Sequence, residues 1–287
     1  MSLLHVRRLS IRERRTGRFL VQDLEFCLAP GACLGLVGES GSGKTLTCRA
    51  LLGLLPGTLE VAGTAVFDGA DLLQAKPETL RRIRGRRIAM VLQQPMTAFD
   101  PLYTIGAQFV ETLREHTSCS AHEALETALR TLESVGIRHP EDMVAQYPHQ
   151  LSGGTLQRCM IAIALALRPE ILIADEPTTA LDAVSQREVL EQFFRIRKQG
   201  NTAMVFISHD LGVVQALAQQ LIIMKDGRCV EHGRADTVLH APKHPYTRYL
   251  IHTRLSLTQS FEASMGRTPP TETKHIFNAR SRHGSIL

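Results

Sequence analysis

The chain has 287 residues, 44% of them hydrophobic, which is enough for one large domain or a core domain with a subdomain and excludes wholesale disorder. A formal charge of +5 and an isoelectric point near 9.0 fit an anionic partner such as nucleotide, acidic lipid or RNA, without choosing among them. The cysteines (Cys27, Cys33, Cys48, Cys119, Cys159, Cys229) never fall in a C-x-x-C pair, which argues against a zinc site or a disulfide framework and fits a reducing compartment.

At the start of the chain, Arg7 and Arg8 stand where a signal peptide needs its apolar stretch. The longest apolar run, Met160 to Leu167, falls far short of the ~18 residues of a membrane span, so any membrane role is expected to come through a partner. Cys33–Val37 reads as a buried parallel strand. It runs into Gly38, Glu39, Ser40, Gly41, Ser42, Gly43, Lys44 and Thr45, after which Leu46–Leu55 has a helical pattern. Strand, glycine loop and helix in that order are the context of a phosphate-binding P-loop. The glycines let successive backbone N–H groups turn inward around the phosphates, and the helix N-terminus adds partial positive charge. Lys44 is expected to bridge the β- and γ-phosphate oxygens, and the Thr45 hydroxyl to ligate Mg²⁺.

The basic cluster Arg81–Arg87 reads as a solvated face near the nucleotide or a partner. It is followed by a second predicted strand, Ile88–Leu92, ending at Gln93. From about Thr97 to Leu151 the pattern turns helical, with His122–Leu132 at helical spacing and Ser120 as its cap. This predicts a helical subdomain, about 97–158, inserted into a sheet domain. Leu151-Ser152-Gly153-Gly154-Thr155-Leu156-Gln157-Arg158 opens a further helical run, and alone it would read as a helix cap. Ile171–Ala174 is a third predicted strand, running into Asp175, Glu176 and Pro177. A carboxylate at such a strand end beside a P-loop holds Mg²⁺ through water, which assigns Asp175 and leaves Glu176 as general base for the attacking water. Ala203–Ile207 is the fourth, ending in Ser208-His209-Asp210; His209 alone is more often a core histidine. His240, His244 and His252 are loosely spaced and read as solvated rather than metal-binding. The stretch from about Ser256 is rich in Ser, Thr, Arg and Pro and is expected to be a mobile tail, 256–287, after an ATPase domain over 1–255. No internal repeat is visible, so a single ATPase unit is expected.

Together the P-loop, Gln93, Ser152-Gly153-Gly154, Asp175-Glu176, Ala180-Leu181-Asp182 and His209 resemble the ATP-binding-cassette family, in order and spacing, from about residue 3 to 240. The resemblance implies an α/β fold: a P-loop NTPase (RecA-like) core with a parallel sheet, an antiparallel β subdomain and an inserted α-helical subdomain. It implies ATP and Mg²⁺ as cofactors, with Thr45, Gln93 and Asp175 around the metal and Glu176, His209 and Gln93 as the catalytic set. Gln93 would reach the Mg²⁺ and the attacking water, and report occupancy to a membrane partner. His209 would hold the γ-phosphate. Ser152, Gly153 and Gly154 would form the loop that meets the γ-phosphate of the opposite subunit, and Asp182 would link the two sites across the dimer. Two positions depart from the family pattern. Thr155, then Leu156 and Gln157, stand where the loop usually ends in Gln, and Arg15 and Thr16 occupy the stretch where an aromatic stacks on adenine. Phe19, the nearest aromatic, suits core and adenine stack equally well.

Within the family, Gln94-Pro-Met-Thr-Ala-Phe-Asp-Pro101, Tyr147-Pro-His149 and His244-Pro-Tyr-Thr247 are similar to the ATPases of oligopeptide, dipeptide and nickel importers. Gly41–Cys48, Leu51–Pro56 and the absence of cysteine after Cys229 resemble the nickel-import type. This implies an ATP-hydrolysing subunit of a binding-protein-dependent importer of nickel or a metal chelate, with a peptide importer as the alternative. It would be peripheral, on the cytoplasmic face of the bacterial inner membrane. Its partners would be a second related ATPase in a heterodimer, two membrane-spanning permease subunits and, indirectly, an external solute-binding protein; no nucleic acid is expected. A soluble assembly factor acting on nucleic acid or ribosomes has only the basic clusters in its favour. Against an ATP-binding regulator without turnover stand Glu176 and His209.

Overall fold

The computed structural model describes residues 2–179 and 181–253; Ala180 and the predicted tail lie outside them. The elements begin with β1 (Leu4–Glu13), β2 (Phe19–Leu28), β3 (Cys33–Gly38), α1 (Lys44–Leu51), β4 (Leu59–Phe67), β5 (Ala70–Asp71), α2 (Pro77–Ile83) and β6 (Ile88–Val91). A helical block follows: α3 (Ile105–His116), α4 (Ala121–Ser134), α5 (Pro140–Val144) and α6 (Gly153–Ala166). The chain then returns to the sheet with β7 (Ile171–Asp175), α7 (Ala183–Gln199), β8 (Ala203–Ile207), α8 (Leu211–Leu217), β9 (Gln220–Lys225), β10 (Arg228–Arg234) and α9 (Ala235–His240). Residues 245–253 are helical as well.

The strands form two sheets. A four-stranded antiparallel one has the order β2-β1-β4-β5, and a six-stranded one has the order β10-β9-β3-β8-β7-β6, parallel except for the β9/β10 edge. Every residue of β3, β7 and β8 is buried, because a parallel sheet is covered on both faces. One core lies between the two sheets around Leu9, Leu36, Phe67 and Val205; the other packs Phe109, Leu132, Leu156, Phe193 and Phe206 on the opposite side. In β1, Leu4 and Val6 point into the core, then Leu9 and Ile11, so the alternation slips by one residue. The slip is a bulge at Arg7–Arg8, where Arg8 has φ 48° and the register with β4 shifts. Opposite it, a Cβ on Gly63 would stand 2.4 Å from the Arg8 carbonyl oxygen.

Several expectations change in detail. The helix predicted over Leu46–Leu55 begins at Lys44 and stops at Leu51. Gly53 turns left-handed (φ 60°), and the Arg84 guanidinium donates to the carbonyls of Leu52 and Gly53 at 2.6 and 2.9 Å. A cation there meets the negative end of the helix dipole. Arg84 and Arg87 are therefore braces rather than a solvated face. Arg87 lies 4.5 Å over the Phe67 ring and pairs with Asp68 at 2.9 Å and Glu170 at 2.5 Å. The predicted strand Ile88–Leu92 ends one residue early, at Val91. Helix α4 outruns the predicted His122–Leu132 at both ends, and Ser120 caps it in a reciprocal box with Glu123. The cysteines are unpaired; burial pushes the thiols of Cys33 and Cys159 up to about 12.

Candidate functional site

The carboxyl ends of β3, β6, β7 and β8 meet at a cleft of about 410 Å³ lined by the Gly38–Leu46 loop, Gln93, Glu176 and His209. The loop is shaped by its glycines. A Cβ on Gly38 would lie 2.2 Å from the Met224 carbonyl oxygen, and one on Gly43 (φ 100°) 2.7 Å from the Val21 side chain. Helix α1 starts with no side-chain cap and no acidic residue in its own first turn, and its partial positive charge faces the cleft. Lys44 is buried beneath the loop, and its ammonium donates to the carbonyls of Gly38 and Glu39 at 2.9 Å each, with the Ser42 hydroxyl at 3.4 Å. Glu39, Ser40 and Gly41 are exposed along the arc, whereas Ser42 is buried under it.

The Thr45 hydroxyl donates to Asp175 Oδ1 at 2.9 Å, from the first turn of α1 to the end of β7. Burial raises the Asp175 carboxyl above its ordinary range, and the negative charge of Glu176 adds to this. The Thr45 hydrogen bond, Arg49 and Lys44 oppose it. Thr45, Asp175 and the Gln93 amide offer only oxygen donors from the chain, the set a hard divalent cation such as Mg²⁺ takes together with phosphate oxygens.

Glu176 follows β7 in a left-handed turn (φ 45°), unusual for a residue with a side chain, with its N–H held by the Ile207 carbonyl at 3.0 Å. Its Oε2 accepts from Thr179 Oγ1 at 3.0 Å and from Gln93 Nε2 at 3.3 Å, with His209 Nδ1 at 3.5 Å. Three strand ends thus converge on one carboxylate. Nothing in the Thr178-Thr179 pair of the sequence shows which hydroxyl turns back onto this carboxylate.

Ser152, Gly153, Gly154 and Asp182 do not line this cleft. They form a second locus where two helix N-termini abut. Ser152 caps α6 by accepting from the Thr155 N–H at 3.2 Å, and its hydroxyl also lies 2.9 Å from the Thr155 hydroxyl, which gives that departure a local role. Asp182 caps α7, accepting from the N–H groups of Val184 and Ser185 at 3.1 and 3.0 Å. Bonds from Ser185 and Val184 hold its carboxyl below the usual range. Gly154 joins the two caps: a Cβ there would sit 2.4 Å from the Ser185 side chain.

Gln157, two residues beyond Thr155, is buried and donates to the Leu92 carbonyl at 3.2 Å, tying α6 to the residue before Gln93. Phe19 is exposed, not core, while Leu20 and Val21 beside it pack over Gly43. His240 contacts the Asp236 carbonyl, His244 accepts from the Tyr246 N–H and His252 is exposed, so they do not share a site. No helix among the described residues is long and apolar enough to cross a membrane.

A family model described as ABC transporter matches residues 21–179. The metal-staphylopine import system ATP-binding protein CntD of Staphylococcus aureus is 45% identical over 92% of this chain and 98% of its own. The dipeptide transport ATP-binding protein DppD of Haemophilus influenzae is 41% identical over 88% and 77%. Its oligopeptide counterpart OppD is also 41% identical, over 85% and 76%. Among solved structures, a dimeric ATP-binding cassette, MJ0796, in a post-hydrolysis state bound to ADP and Pi, superposes with a TM-score of 0.71 at 26% identity, over 81% of this chain and 98% of that one. The two sheets and the helical block are those of such cassettes.

Proposed function

The chain belongs to the ABC transporter family, as an ATP-binding, ATP-hydrolysing subunit of the importer type, and we propose that it drives uptake of nickel or a metal chelate. The observation that carries the metal reading is the 45% identity to a metal-staphylopine ATPase along nearly the whole of both chains. The peptide reading stands second, favoured by the OppD and DppD relatives.

In this reading the loop amides and the N-terminus of α1 receive the phosphates of ATP, and Lys44 exchanges its carbonyl partners for phosphate oxygens. Thr45, Asp175 and Gln93 would hold Mg²⁺, which when bound neutralises charge on those oxygens. Glu176, fixed by Thr179 and Gln93, takes the proton of the attacking water, and His209 faces the γ-phosphate from the end of β8. Phe19, exposed beside the Leu20 and Val21 that pack over Gly43, would be the aromatic that meets the adenine. The Ser152–Gly154 loop and Asp182 lie outside the chain's own cleft, which supports a role at the site of a second, related ATPase. Met96, Leu102 and Tyr103, exposed in the segment after Gln93, support docking on two membrane-spanning subunits there. In this reading the protein sits peripherally on the cytoplasmic face of the membrane and is served by an external solute-binding protein.

The reading is tested in a strain lacking the gene. Uptake of radiolabelled nickel, offered free or as a chelate, should fall to background and return with the wild-type gene but not with Lys44→Ala. Unchanged metal uptake with lost di- or oligopeptide uptake would hand the assignment to the peptide reading.

A further inference from the structure

The segment His244–Thr247 reaches from an edge strand back to the phosphate loop. It starts at Glu231 on β10, whose two carboxylate oxygens accept from the N–H groups of Lys243 and His244 at 2.8 and 3.0 Å. His244 Nδ1 then accepts from the Tyr246 N–H at 3.2 Å, turning the chain into the helix at 245–253. This turn buries the Tyr246 ring, with the Lys225 ammonium 4.9 Å above it, and aims its hydroxyl at the loop. The Glu39 N–H donates to that hydroxyl at 3.2 Å, a contact between residues 207 apart in sequence.

That N–H belongs to the Gly38–Glu39 peptide, whose other end, the Gly38 carbonyl, accepts from Lys44 at 2.9 Å. One peptide plane is therefore held at both ends: at its oxygen by the lysine that meets phosphate, at its nitrogen by a tyrosine from the far end of the domain. This plane opens the phosphate loop, so its orientation sets where the following N–H groups point.

We propose that Tyr246, anchored through Glu231, is a positioning residue that holds the phosphate loop in its nucleotide-receiving shape. The inference rests on the ATPase reading of the same cleft. A hydroxyl that preorganises the loop serves ground state and transition state equally, so its loss raises KM and leaves kcat in place.

The test uses the full chain and Mg–ADP, followed by ATP turnover in the assembled transporter. Tyr246→Phe keeps the ring and its contact with Lys225 and removes one neutral hydrogen bond. The Mg–ADP Kd and the KM for ATP should both rise about three- to tenfold, with kcat within about twofold. Glu231→Gln should raise Kd in the same direction by loosening the anchor, and the double variant should show less than the summed effect, because both act on one network. A purely structural tie would lower Tm and leave the Kd of the folded protein unchanged. If Lys44→Ala abolishes Mg–ADP binding while Tyr246→Phe keeps the wild-type Kd, the positioning role is overturned and the ATPase reading stands. A wild-type chain that bound no Mg–ADP would overturn both.

Discussion

Asp175 and Glu176 are neighbours in sequence and opposites in environment, and that contrast separates their roles. Asp175 is buried at the end of β7 with Thr45 on its oxygen; Glu176 turns out of the strand into the cleft and gathers Thr179, Gln93 and His209. Glu176→Gln removes proton acceptance and little else, so ATP binding should persist while phosphate release falls by about 10²- to 10⁴-fold. Normal release would show that another group is the base. Asp175→Asn should do the reverse, weakening Mg²⁺-dependent ATP binding yet raising the Tm of the nucleotide-free chain at neutral pH. The sign follows from burial, which raises this carboxyl above its ordinary 3.8. A raised acid adds stability below its unfolded pKa and loses it as pH rises through the folded one. The Asn variant's advantage should thus be full near neutrality and vanish at and below the ordinary aspartate range. Thermal melts across pH would reveal it, and a pH-independent difference would contradict it. Both acids stand out in the sequence because a wholly apolar strand breaks into them. Gln93 and His209 enter the sequence reading through the family resemblance, whereas Thr179 and the reach of Tyr246 do not, since each depends on where a side chain turns in the folded chain.

At the scale of elements, the strands read correctly from sequence are β3, β7 and β8, buried along their whole length, and β6, buried except at Met90; in each an uninterrupted apolar run is the signal. Strands β1, β2 and β4 carry half-exposed residues, and bulges at Arg8 and Asp23 shift their alternation, so they enter the sequence reading only through the family resemblance. The Ser152-Gly-Gly string likewise shows its N-cap but not its neighbour. What makes its second glycine necessary is the packing of α6 against α7: at Gly154 a Cβ would press within 2.4 Å of Ser185, next to the Asp182 cap. Gly153 differs, with its nearest neighbour, Leu181, 3.5 Å from such an atom. Gly154→Ala should therefore destabilise the chain by about 1–3 kcal/mol through overpacking. That corresponds to a Tm lowered by roughly 2–10 °C in a domain of this size. Gly153→Ala should melt close to wild type. Equal Tm values for the two variants would refute the packing argument.

At the scale of the whole molecule, the cleft holds the phosphate loop, Gln93, Glu176 and His209, while Ser152 stands outside it, exposed at the start of α6. Helix α6 is fourteen residues long and mostly apolar, and its N-terminus, where Ser152 caps the Thr155 N–H, carries the helix's partial positive charge to the surface. In the proposed reading the anion that meets that end is the phosphate of a second ATPase, and the related cassette whose structure holds ADP and Pi is a dimer. Ser152→Arg separates acting on one's own nucleotide from acting on a partner's. The substitution puts a long cationic side chain where a facing phosphate would sit and removes the cap hydroxyl, without touching the Gly38–Thr45 loop. The isolated subunit should then bind Mg–ATP within about twofold of wild type, because a change on an exposed face outside the cleft leaves its own contacts intact. In the assembled transporter, turnover should fall at least about tenfold, the loss expected when a group aimed at the reacting phosphate is displaced. Glu176→Gln offers a direct view of closure: mixed with the partner ATPase it should accumulate an ATP-bound dimer measurable by light scattering, and Ser152→Arg in that background should return the pair to monomers. Full turnover by the Ser152→Arg complex would mean that the exposed helix end meets no nucleotide at all.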